Sequence, residues 1–329
     1  MKRLNPYLTG GITPDWIDYL LAFQEAGADA VEIGLPFSDP MLDGATIQQA
    51  SDQALRRGVT VGSILADLAA ARDRIHIPLI AMTYANLVFR DTTPAAAAPA
   101  APRDESFGGQ PAPAALSGQQ AAGAPSGQPA AGTVGGQPAR GALGGRSAAG
   151  AVSGGAGGGP EVFCRRLADA GISGLIVPDV PIDEAGRLEA AAAAAGIELV
   201  LLAAPVTPPE RLAEIGRHSR GFVYAVSVMD TTGERDSLAA SAAPLARRIK
   251  AVTGLPVLIG FGISTPAQAA TAARAGDGVV IGAALMRRVL DGASPDDLRA
   301  EVAAFRAALD QVDQEMPVAR AHAEVPGDR

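Results

Sequence analysis

Short apolar runs alternate with longer amphipathic or Ala-rich stretches along most of the chain. The runs that read as strands are NPYLTG, AVEIGLP, PLIAMTY, SGLIVPDV, ELVLLAAP, GFVYAVSV, LPVLIGFG and GVVIGAAL. Their nearly continuous apolar character is that of parallel strands covered on both faces. Between them lie helix patterns such as DWIDYLLAFQEAG, TIQQASDQALRRG, EVFCRRLADAG, DEAGRLEAAAAAAG, PERLAEIGRHS, APLARRIKAVTG and TPAQAATAARAG, several of which stop at a glycine, as helix C-termini do. Repeated strand–helix units of this kind predict an α/β protein with a (β/α)8 TIM barrel rather than an open doubly wound sheet.

One stretch breaks the plan. From Thr93 to about Gly159 the chain turns to Ala, Gly, Pro, Gln and Ser, with near-repeats of GGQPA. Such a composition buries too little apolar surface to offset its ordering entropy, so this segment is expected to be a disordered, low-complexity insertion. Joining MTYANLVFR directly to PEVFCRRLADAG restores one normal unit, which places the insertion in the loop after the third strand. The expected organisation is therefore the first part of the barrel in 1–92, the insertion in 93–159, the rest of the barrel in 160–313 and a C-terminal tail in 314–329. Without the insertion roughly 260 residues remain, close to the usual barrel size of about 250.

Charge and cysteine usage narrow the function classes. A net charge of -8 with no Lys/Arg-rich stretch offers no footprint for nucleic acid or an anionic membrane. Cys164 stands alone, so neither a disulfide framework nor a Cys-based zinc site can be built, and a reducing cytoplasm is the expected compartment. The opening MKRLNPYLTGGITPDW has no long apolar run, which argues against a signal peptide, and no segment is apolar enough to span a bilayer.

In a barrel the reacting groups sit at the C-terminal ends of strands and in the loops behind them. The lysines are Lys2, at the terminus, and Lys250, in a helix pattern, so a Schiff-base lysine projecting from a strand end is excluded. His76, His218 and His322 also fall away from strand C-termini, which argues against a His-rich metal site and leaves them as solvated loop or helix-end residues. Glu32, Asp43, Asp179 in VPDVP and Tyr224 remain. Period-two alternation puts Val31, Ile33 and Leu35 on one face and Ala30, Glu32 and Gly34 on the other, so Glu32 is expected in the lumen, with its pKa pushed up by desolvation. The rival reading of Glu32 is a salt bridge to an arginine inside the barrel. Asp43, in DPMLDGAT, also reads as a turn residue ahead of a helix start near Thr46, and Tyr224 as a packed core tyrosine. Glycines in IGFGIST and VIGAALM, after strands seven and eight, sit where barrels commonly hold a phosphate on backbone N–H groups, although tight turns and caps would use them too. The local chemistry is thus a metal-free, lysine-free acid/base reaction on a small phosphate ester.

The segments VEIGLPFSDPMLDGATIQ, MTYANLVF, GLIVPDVP, GFVYAVS…TTG and IGFGIS…GVVIGAAL, in this order, closely resemble the tryptophan synthase alpha chain family. The resemblance covers nearly all of the chain outside the insertion and the last residues. It implies a lyase, classed with the carbon–oxygen lyases, that cleaves indole-3-glycerol phosphate to indole and glyceraldehyde 3-phosphate in tryptophan biosynthesis. It also implies a beta chain partner in an alpha2-beta2 type complex, with pyridoxal phosphate in that partner and no cofactor in this chain. Carried over by position, Glu32 is the acid/base, Asp43 accepts the indole N–H and Tyr224 lines the site. Gly233, Phe261, Gly262, Gly282 and Ala283 match phosphate-contacting positions, Thr232 a gating-loop threonine, and Asp39 and Asn86 contacts to the beta partner. Three features depart from the pattern: Ala283 stands where the family usually has serine, Asp230 where glycine is common, and the short helix that covers the barrel bottom is lacking. With an insertion on the docking face, these departures keep two rival readings open: a stand-alone lyase that releases indole, and a catalytically weak barrel that regulates a beta chain.

Overall fold

The computed structural model describes residues 1–90, 158–226, 237–260 and 262–323. Eight parallel strands close a barrel in sequence order: β1 (Arg3–Thr9), β2 (Val31–Gly34), β3 (Leu79–Met82), β4 (Gly174–Ile176), β5 (Glu198–Ala203), β6 (Val223–Val226), β7 (Val257–Gly260) and β8 (Gly278–Ile281). The ring shuts where β1 pairs with β8, Leu4 opposite Val279 and Asn5 opposite Val280. This is the TIM barrel that the strand pattern predicts. One compact unit comprises Met1–Thr93 with Gly157–Arg329; the second, Pro94–Ala156, and with it the expectation of a disordered insertion, lies outside the described residues.

Around the barrel run α1 (Trp16–Glu25), α2 (Ala45–Arg56), α3 (Val61–Ala70), α4 (Ala85–Phe89), α5 (Pro160–Asp169), α6 (Gly186–Ala194), α7 (Pro209–His218), α8 (Ser237–Lys250), α9 (Pro266–Ala275), α10 (Ala283–Leu290) and α11 (Pro295–Ala323). Helices α1, α2, α5 and α6 are each followed by a glycine, Gly27, Gly58, Gly171 or Gly196, with φ between +72° and +87°, the left-handed cap that the sequence signals. Helix α3 is an element the sequence reading did not single out. It starts at a capping box in which Thr60 Oγ1 accepts from Ser63 N at 3.1 Å and Ser63 Oγ accepts from Thr60 N at 3.0 Å. Helix α11 runs past residue 314 to Ala323, into the stretch expected as a tail.

Strand alternation divides the interior in two. Val31, Ile33, Leu79, Leu175, Leu199, Val223, Val257 and Val279 face the helices and form the main core. Ala30, Ile80, Ile176, Val200, Phe222, Tyr224, Leu258 and Val280 fill the lumen. The lumen is therefore plugged with side chains, most of them apolar, with Asn5 and Glu32 as buried polar exceptions. Helix α11 lays a stripe of Leu298, Val302, Phe305, Leu309 and Val312, each at most 1% exposed, against the barrel. Its Arg306 donates to Asp29 Oδ2 at 3.1 Å and to Asp310 Oδ1 at 2.9 Å, while Asp29 Oδ2 also accepts from Leu4 N at 2.8 Å. The bottom of the barrel is thus tied by charge-assisted bonds, leaving the mouth as the face free for chemistry.

Candidate active site

Glu32 sits in β2 among apolar neighbours, 1% exposed, with Oε2 buried and no hydrogen-bond partner for it among the described residues. No arginine pairs with it there, so the salt-bridge reading of this residue falls away. Desolvation, and then the charge of Asp43, push its pKa up to about 8. Near neutral pH it is accordingly a proton donor in waiting, which an exposed glutamate is not.

Asp43 reaches the same space from the loop between β2 and α2. That loop is held from two sides. Gln48 Nε2 donates to the carbonyls of Pro40, at 3.2 Å, and Asp43, at 2.8 Å. Tyr84, directly after β3, accepts from Leu42 N at 3.2 Å and stacks on Phe37 with ring centroids 5.1 Å apart. The Tyr84 hydroxyl donates to the Asp43 carboxylate. Burial raises the Asp43 pKa to about 6, the Tyr84 hydrogen bond acting in the opposite direction. Asp43 is therefore largely ionised at pH 7 while Glu32 is largely protonated, two carboxyls with different states set by their surroundings.

A cavity of about 250 Å³ brings the residues together: Glu32, Asp43, Tyr224, Gly262, Gly282 and Ala283 all line it, and so does Tyr7. Six of the site residues expected from the sequence thus share one chamber. Tyr224 is buried at the lumen mouth, and its hydroxyl occupies the place where a Cβ on Gly260 would go, 2.4 Å from it. Gly262 has φ +75°, a conformation that disfavours any side chain at the turn after β7. Gly282 is the N-cap of α10 and has no side-chain cap bond; the first backbone bond of that helix is Met286 N to Gly282 O at 3.0 Å. The preceding N–H groups at Ala283, Ala284 and Leu285 precede the first intrahelical bond, and the positive end of the helix lies at the cavity wall. Alanine at 283 leaves this backbone donor set intact and supplies no hydroxyl. Thr232, Gly233 and Phe261, together with Asp230, lie outside the described residues.

Asp39 and Asn86 are exposed and are not part of this chamber. They border a separate groove of about 440 Å³ with Phe37, Val61, Leu87, Arg90 and Phe163. Asp179, a candidate from the sequence, is a structural acceptor instead: its carboxylate takes the N–H of Ala85, at 2.9 and 3.1 Å, and so fixes the start of α4. The helix start expected near Thr46 is observed, with Gly44 as the N-cap of α2, and Thr46 Oγ1 accepts from Arg287 at 2.9 Å, tying α2 to α10. Of the histidines, His76 is an exposed loop residue, and His218 at the end of α7 meets Glu189 at 2.8 Å; the side chain of His322 lies outside the described residues. Among the described residues, no group of three His, Cys, Asp or Glu side chains could hold a metal ion, and no helix is long and apolar enough to cross a membrane.

Tyr7 and Tyr84 are the functional-site residues that sequence reading missed. The signal for Tyr7 was present, since in NPYLTG it shares parity with Asn5 and Thr9 and opposes Leu4 and Leu8. Only the β1–β2 register, with Tyr7 opposite Glu32, shows what it faces.

Comparison with known proteins converges on one family. The family model for the tryptophan synthase alpha chain matches residues 2–101 and 157–316. The tryptophan synthase alpha chain of Gloeobacter violaceus is 34% identical over 317 residues, covering 95% of this chain and 90% of the relative. Among solved structures, Mycobacterium tuberculosis tryptophan synthase aligns with a TM-score of 0.68 at 32% identity, covering 94% of this chain and 92% of the other. Tryptophan synthase subunit alpha from Legionella pneumophila aligns with a TM-score of 0.67 at 25% identity, covering 94% and 93%.

Proposed function

The chain belongs to the tryptophan synthase alpha chain family, lyases of tryptophan biosynthesis that cleave indole-3-glycerol phosphate, and on that premise we propose that Glu32 and Asp43 carry the cleavage as a metal-free acid/base pair. The observation that supports this most is that a protonated carboxyl and an ionised one open into the same chamber. An indole ring cannot leave as a bare carbanion. Glu32 gives its proton to indole C3, which turns the ring into an indolenine cation, and Asp43 accepts the ring N–H and offsets the positive charge. The Glu32 carboxylate then takes the proton of the neighbouring glycerol hydroxyl. As the carbonyl of glyceraldehyde 3-phosphate forms, the C–C bond breaks and its electron pair restores neutral indole. One proton leaves Glu32 and one returns, so the cycle closes without a metal or cofactor in this chain.

The remaining assignments rest on the chamber's lining for Tyr224, Gly262, Gly282 and Ala283, and on the family resemblance alone for Gly233, Phe261 and Thr232, which lie outside the described residues. Tyr224 lines the indole end, and the turn at Gly262 with the α10 N-terminus at Gly282 and Ala283 receives the phosphate, joined in this reading by Gly233 and Phe261, with Thr232 on the gating loop. The lone buried Cys164 suits a reducing cytoplasm.

Indole release from indole-3-glycerol phosphate, followed across pH, tests the pair. Activity is expected to be greatest between about pH 6 and about pH 8, the pKa values to which Asp43 and Glu32 are pushed. Below the lower value Asp43 loses its charge, and above the upper one Glu32 loses the proton it must give. Activity that stays level from well below pH 6 to well above pH 8 would rule the pair out.

Beta chain docking is assigned to the groove beside Asp39 and Asn86, whose exposed polar groups and half-buried Phe37 and Leu87 form a mixed surface. Asp39→Ala is expected to weaken the response of indole release to added beta chain severalfold while leaving the isolated chain's rate within about twofold, as removal of a rim charge does. An unchanged titration with the beta chain would move the contact elsewhere.

A further inference from the structure

We propose that Tyr7 is a positioning residue for Glu32: its hydroxyl donates a hydrogen bond to the Glu32 carboxylate whenever Glu32 ionises, and holds it for the return of the proton. The proposal deepens the acid/base reading above and rests on it. It starts from a need that Glu32 creates. Once its proton has gone to the indole ring, a carboxylate is left in an almost fully buried position. Such a charge is costly without a donor or a cation. Among the described residues no cation acts on Glu32. The ionisable groups that face it are Asp43 from the β2–α2 loop, which repels the ionised form, and the phenols Tyr7 from β1 and Tyr224 from β6.

Tyr7 is the phenol built beside Glu32. The two are direct cross-strand partners in the β1–β2 pairing, on the lumen side of their strands, and both line the cavity. The ring leans toward the mouth over Gly34, and its hydroxyl lies 1.8 Å from where a Cβ on Gly34 would stand. The glycine two positions beyond Glu32 thus makes room for this hydroxyl, which no larger residue would. Thr9 Oγ1, fully buried, donates to the Tyr7 oxygen at 3.3 Å. With its oxygen used as an acceptor, the phenol has its own proton left to give, and no described residue takes it. On the other side, Glu32 Oε2 is an acceptor without a partner. A donor without an acceptor and an acceptor without a donor therefore occupy paired positions on adjacent strands. Burial and the charges of Asp43 and Glu32 both raise the Tyr7 pKa, so it stays a neutral donor through the working pH range. Tyr224, on which the Glu32 charge also acts, comes from a strand not paired with β2 and has its hydroxyl laid over Gly260 on the β7 wall.

The test is a carboxyl titration by NMR on the full chain carrying ¹³C-labelled glutamate, without substrate, with Glu32→Gln used to assign the signal. Tyr7→Phe keeps the ring and removes only the hydroxyl. It is expected to raise the Glu32 pKa by about one unit, a tenfold change in the ionisation equilibrium. In the cleavage assay the alkaline limb should move upward with it, with kcat reduced roughly tenfold and KM within about twofold, because the lost bond forms to a charged group during turnover. Thr9→Val, which releases the phenol without removing it, should shift the titration in the same direction by less, and it decides the matter if Tyr7→Phe does not fold. An unmoved Glu32 titration in the folded variants, or a rise in KM with kcat and pH profile intact, would overturn the proposal. If the wild-type chain released no indole, the acid/base reading would fall separately, since the titration needs no substrate.

Discussion

Glu32→Gln is expected to lower indole release by a factor of about 10² to 10⁴, the usual contribution of a positioned general acid/base, while raising the melting temperature at alkaline pH. The two effects have one cause. In the folded chain Glu32 holds its proton up to about pH 8, against an ordinary carboxyl value of 4.5. Between these values the unfolded chain has released a proton that the folded chain still binds. Stability then falls as pH rises through that window, and the full penalty is present above pH 8. Glutamine fills nearly the same volume and cannot ionise, so it is spared this loss. Below pH 4.5 the two proteins should melt alike; above pH 8 the variant should be the more stable by several degrees. Thermal melts at pH 5 and pH 8.5, beside an indole assay, check both halves. A variant that loses activity but melts lower at pH 8.5 would mean that Glu32 is a structural carboxylate stabilised in its charged form. The predicted combination, an inactive protein with a higher melting temperature, is that of an acid kept at a cost to stability for its chemistry.

The barrel and the lumen position of Glu32 were legible in the sequence for the same physical reason. Strand alternation has a period of two, so once AVEIGLP is read as a strand, the apolar trio Val31, Ile33 and Leu35 forces Glu32 to the opposite face. The glycines at 262 and 282 were legible as well, since each falls immediately after an apolar run, where a turn and a helix start must follow. Tyr7 and Tyr84 were not legible, because an aromatic in or just after an apolar strand looks the same whether it packs in a core or lines a cavity. What separates the cases is register and loop path: Tyr7 opposite Glu32, and Tyr84 between Phe37 and Asp43. Asp179 failed in the opposite direction. Its place after β4 suggested chemistry, but the nearest need is the N–H at the start of α4, and that is where its carboxylate went. Helix α3 is hard to separate in the sequence because VGSILADLAA follows α2 after a short turn, whereas a strand–helix repeat calls for one helix per strand.

Asp43→Asn separates charge from hydrogen bonding at the other carboxyl, and kcat is expected to fall by about 10² to 10³. That is the usual effect of losing one electrostatic contact to charge that develops in the transition state. Asparagine can still accept the indole N–H and can still face the Tyr84 hydroxyl, so ground-state binding should survive and KM should stay within about threefold. Only the negative charge opposing the indolenine cation disappears. The pH dependence carries the sharper sign. Wild-type activity should decline below about pH 6, where Asp43 takes up a proton. The variant has no group to protonate there, so its residual activity should be level through pH 6 and keep only the alkaline decline from Glu32. A residual acid limb at the same pH would assign that limb to another group and remove Asp43 from the charge-stabilising role. A large rise in KM with kcat preserved would instead make Asp43 a binding residue, leaving the cation to be stabilised elsewhere in the chamber.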